Sequence, residues 1–188
     1  MKKLITLTLC FLLSLTSSKA TVILLDVFEG AYNPAIELSL ELSYDQNVLK
    51  LFVINDSTVQ SVVTQIAFED LSSILSQPTI PSQWNIDNLA NVPGSNNIGF
   101  DIDYGLKAKP SPIQNGIASG EQIEIILPNV NKSDVLYGFE NGTIRVAVHV
   151  QSIGPSSASS SYATIVPEPT VLVLGAMGMG LILFRRTK

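Results

Sequence analysis

The sequence predicts an all-β protein, a single antiparallel β-sandwich, flanked by an N-terminal signal peptide and a short C-terminal transmembrane helix. Three observations carry the fold class. Apolar and polar residues alternate with a period of two, turn-forming residues punctuate the alternating stretches, and helical periodicity is nearly absent.

The alternation is clearest where Ile36, Leu38, Leu40, Leu42 and Tyr44 interleave with Glu37, Ser39, Glu41 and Ser43. Such a segment buries one face and wets the other. Residues 22–28, 48–54, 59–68 and 121–127 read as further strands. So does 98–104, where Ile98, Phe100, Ile102 and Tyr104 alternate with Gly99, Asp101 and Asp103. In 143–151, Thr143, Arg145, Ala147, His149 and Gln151 form the polar face opposite Ile144, Val146, Val148 and Val150. Turn signals separate these runs, among them Asn55-Asp56-Ser57, Pro93-Gly94-Ser95 and Asn141-Gly142. Residues 69–75 and 134–139 can each form one helical turn. The body is expected over 21–152. Residues 153–165, rich in serine, are expected as a flexible segment with room for a last strand at 162–166.

The two ends differ from the body. Met1, Lys2 and Lys3 precede a mainly apolar run from Leu4 to Leu15, and Ser18 and Ala20 are small residues two apart. Positive segment, short apolar core and small-residue site make a secretory signal peptide, residues 1–20, cut by signal peptidase after Ala20. Cys10 lies inside the apolar core and leaves with it, so the mature protein has neither a disulfide nor a thiol nucleophile. At the other end, residues 166–188 join Pro167-Glu168-Pro169 to an apolar run, 171–184, and to Arg185, Arg186 and Lys188. The prolines keep their segment extended and out of a sheet or helix. The cations hold the terminus on the cytoplasmic side. A helix over 171–184 is about 21 Å long, against a hydrocarbon core of about 30 Å. That length suits a transient stop better than a permanent anchor.

Pro-Glu-Pro, a short apolar helix and a basic end, in that order, resemble the PEP-CTERM sorting signal. The resemblance is confined to this tail. It implies a substrate of exosortase, a membrane-embedded, cysteine protease-like enzyme of Gram-negative bacteria that make exopolysaccharide and biofilm. It further implies passage through the inner membrane to the cell surface or extracellular matrix, with Pro167, Glu168 and Pro169 as the sorting motif.

Charge narrows the body's partners. Residues 21–169 hold all 16 acidic residues and five of the 11 basic ones, a net charge of −11. Such a surface is repelled by nucleic-acid phosphates and by anionic membranes. Catalytic signals are weak. His149 is the only histidine and sits on the polar face as a solvated strand residue. No Gly-x-Ser-x-Gly elbow and no His-Glu-x-x-His pattern occur. Asp101 and Asp103 share a strand face and could offer oxygen ligands to calcium, but without EF-hand spacing they read first as a solvated face, and no metal or cofactor is expected. Trp84, the only tryptophan, lies in the proline-flanked loop 78–85, where it either anchors the loop or stacks on a sugar ring. The leading expectation is a non-enzymatic exported surface or matrix protein. A carbohydrate-binding module acting on exopolysaccharide is the alternative, and a secreted hydrolase is third.

Overall fold

The computed structural model describes residues 21–45, 48–87 and 92–164. The signal peptide expected at 1–20 and the sorting tail expected at 166–188 lie outside these residues. Ten strands follow in order: β1 (Thr21–Glu29), β2 (Leu38–Asp45), β3 (Val48–Asn55), β4 (Val62–Asp70), β5 (Trp84–Ile86), β6 (Tyr104–Ala108), β7 (Ile117–Ala118), β8 (Glu121–Pro128), β9 (Ile144–Ile153) and β10 (Ala158–Thr164). A short helix α1 (Pro112–Asn115) precedes β7, and α2 (Lys132–Asn141) connects β8 to β9. All the strand pairings are antiparallel, and the sheet runs β5-β6-β4-β9-β10-β1-β2-β3-β8, with β7 beside β4.

The sheet curls because β1 serves both ends of it. Its first half pairs with β2, from Thr21 opposite Leu42 to Leu24 opposite Ser39. Its second half pairs with β10, from Leu25 opposite Thr164 to Glu29 opposite Ser161. One apolar cluster joins the two ends of the curled sheet. Leu40, Leu42, Leu49, Leu51, Ile125 and Leu127 come from one end, and Val63, Ile66, Phe68, Leu106, Val146 and Val148 from the other. The register shift between Val63 and Gln65 explains how Val63, Ile66 and Phe68 can share one core despite their spacing. An extra residue at Thr64 re-phases the alternation there. At the far edge, Thr79 exchanges two backbone hydrogen bonds with Ile126, of 2.8 and 2.9 Å, and covers β8.

Four expectations need correction. Residues 98–104 are not a strand: Ser95–Ile98 is a 3-10 helix, and β6 begins at Tyr104. The period of two there serves a covering loop, since Ile98, Phe100 and Ile102 all pack on a second apolar cluster with Ala67, Ala147 and Ala163. The serine-rich stretch is not a flexible segment either. A tight turn after Ile153 leads directly into β10, an interior strand of the sheet. Its hydroxyls find partners: Ser160 Oγ donates to Ala31 O at 3.3 Å, and Ser161 Oγ bonds His149 Nδ1 at 3.2 Å. The helical turn expected at 134–139 is longer, ten residues capped by Asn131, whose side chain accepts from Ser133 N. Glu69 and Asp70, expected to open a helical turn, instead end β4.

Candidate functional site

Strands β4, β9 and β10 place small residues side by side, Ala67 opposite Ala147 and Ala147 opposite Ala163. Small side chains leave a shallow bed on the outer face of the sheet, and the loop carrying Val92 and Phe100 lies in it, both residues buried. Arg145 fixes that loop. Its guanidinium forms a two-pronged ion pair with Glu69, through Nε to Oε2 and through Nη2 to Oε1 at 2.7 Å. It also donates to the carbonyls of Ile98, at 3.1 Å, and Gly99, at 2.6 Å. Glu69 Oε1 accepts from Asp101 N at 2.7 Å. The Arg145 guanidinium stands 5.1 Å from the centre of the Phe100 ring. Glu69 is 1% exposed, so a charge that burial would otherwise penalise is matched in place.

His149 lies two residues beyond Ala147 on the same strand. Strand β9 is buried on both faces through most of its length, so His149 is 5% exposed rather than solvated. Burial pushes its pKa below the ordinary histidine value, outweighing the raising effect of a hydrogen bond to the backbone of Ser160. Among the described residues His149 and Ser161 form the one Ser–His pair, and Ser161 is fully buried. The pair works as a cross-strand tie.

Asp103 and Asp101 separate in role. The Asp103 carboxylate accepts from Asp70 N at 2.5 Å, while its own N–H donates to Phe68 O at 3.0 Å. Both bonds join the loop to the end of β4. Asp101 is exposed and touches Glu69 through its backbone. Tyr104 stacks on Phe68 with ring centres 4.9 Å apart, and burial, then Asp70 and Asp103, raise its phenol pKa. No group of three or more candidate metal ligands occurs among the described residues. Trp84 is not a loop residue: it opens β5 opposite Ala108, and at 3% exposure it belongs to the core. Its indole face is thus packed against protein.

An apolar concavity lies elsewhere, at the point where β1 leaves β2 for β10. A cleft of about 500 Å³ opens there. Leu24, Leu25, Ile36 and Leu38 form its apolar walls, and Asp26, Glu37 and Asp56 are its charged residues. Tyr162 lies at its base, 3% exposed, and its hydroxyl completes no hydrogen bond within the geometry such a bond requires. Tyr32 also lines the cleft and is largely exposed. No sequence motif announces this site, because its residues come from five separate segments.

Among the described residues, no helix is long and apolar enough to cross a membrane. No protein-family model matches the chain. No curated protein matches it either. Among solved structures, the chain is similar to the GAE domain of GGA2p from Saccharomyces cerevisiae, at 10% identity and a TM-score of 0.30, over 76% of this chain and 98% of that one.

Proposed function

We propose that the chain is an exported, non-enzymatic surface or matrix protein: one β-sandwich body, delivered by the signal peptide at 1–20 and processed by an exosortase at the tail. The observation that carries this reading is the ordered tail, Pro167-Glu168-Pro169, then the apolar run 171–184, then Arg185, Arg186 and Lys188. The apolar run is short of a bilayer span, and the prolines keep an extended backbone beside it, as a protease requires. The net charge of −11 over residues 21–169 suits a soluble domain outside the cell. The fold gives the tail little slack, since β10 ends at Thr164, two residues before Val166 gives way to Pro167. A processing enzyme therefore has to work close against the folded body.

Replacing Pro167, Glu168 and Pro169 together with alanine tests the reading. The variant is expected to be exported and to accumulate at full length in the inner membrane. Normal release to the surface would sink the sorting role of these three residues.

A further inference from the structure

The cleft beside β1 has three features that together define an occupant. The first is an open strand edge. Strand β1 pairs with β2 only as far as Leu24 and with β10 only from Leu25, so along Leu25–Glu29 no described strand lies on the side that faced β2. Within that stretch Val27 N donates to the adjacent Asp26 Oδ1 at 2.8 Å, a local substitute for a ladder bond. The second is charge of one sign, because Asp26, Glu37 and Asp56 line the cleft and no cation does. The third is aliphatic wall, with Leu24 standing 69% exposed.

We propose that this cleft receives an extended basic segment of another protein, laid as an added strand along the free edge of β1. Strand addition takes its affinity from main-chain hydrogen bonds and its selectivity from pockets for alternate side chains. Here the apolar side chains of the guest meet Leu24, Ile36 and Leu38, and its lysines or arginines meet the three carboxylates. A sugar chain fits less well. Sugar rings stack on flat aromatic faces, and here Tyr162 is packed in the core, which leaves Tyr32 as the one exposed aromatic beside branched aliphatic walls and three carboxylates. The proposal stands apart from the reading of the tail, since none of its residues lies beyond Tyr162.

The test uses full-length protein in mild detergent and a fluorescent peptide of alternating valine and lysine, read by anisotropy. Binding is expected to exceed that of the matching valine–glutamate peptide by about tenfold or more, and to weaken with salt. The variant Asp26→Asn, Glu37→Gln, Asp56→Asn is expected to lose about tenfold. The control Asp134→Asn, Glu140→Gln, which removes exposed charges of α2, is expected to lose nothing. Leu24→Arg guards against misfolding as an explanation, because the side chain is exposed, and it is expected to block the peptide equally. No binding by the parent, an equal loss in the α2 control, unchanged binding by Leu24→Arg, or tighter binding of a glucosamine oligomer than of the peptide would each overturn the proposal.

Discussion

Arg145 is the single arginine of the described body, and its environment makes it a sensitive point. Removing the guanidinium leaves Glu69 buried and unmatched and strips two carbonyls of the covering loop of their donor. Arg145→Ala is expected to cost about 3–5 kcal/mol, measured by urea unfolding. The double variant Glu69→Gln, Arg145→Met is expected to regain most of that loss, because it removes both charges together. Equal stability of parent and Arg145→Ala would show that the ion pair contributes nothing. His149 makes a second prediction. Burial lowers its folded-state pKa, so below the ordinary value of about 6.5 the unfolded chain takes up the proton more readily than the folded one. Stability is therefore expected to fall as pH drops from 7.5 to 5.5, and His149→Gln is expected to flatten that slope. Identical slopes in the two proteins would remove the histidine from the account. Neither residue's role was legible in the sequence. Alternation placed both on a polar face, but could not say that a loop some fifty residues earlier binds Arg145 or that neighbouring strands bury His149.

At the scale of elements, the misreadings share one cause: periodicity reports which side chains are buried, not what the backbone pairs with. Ile98, Phe100 and Ile102 alternate like a strand and are partly or fully buried, yet they belong to a loop bound down by Arg145. Ser159, Ser160 and Ser161 have the composition of a linker, yet they lie in an interior strand whose hydroxyls are bonded across it. Strands whose two faces differ were easier. β2, β3 and β8 came within two residues of their observed limits, because one face meets the core and the other water. The covering loop offers its own test at Gly94, which has φ of +78° and whose absent Cβ would stand 2.6 Å from Glu29 Cβ. Gly94→Ala is expected to cost about 1–3 kcal/mol through backbone strain. It is also expected to speed amide exchange across 92–103 more than across β3. Uniform exchange in parent and variant would mean that the loop is not held from this end.

The whole molecule joins an antiparallel β body to two ends on which the proposed export and processing rest. The body's core was readable from alternation alone, because a period of two is what a half-buried strand requires. The cleft was not readable, since it exists only where β1 changes neighbours and brings residue 26 near residues 37, 56 and 162. Export and processing rest on the ends, and there the most direct measurement is the intact mass of the protein recovered from the surface of an exosortase-bearing Gram-negative host. The account predicts a chain that begins at Thr21 and lacks residues 171–188. A surface protein that keeps its sequence through Lys188 would contradict it and make the tail a plain single-pass anchor.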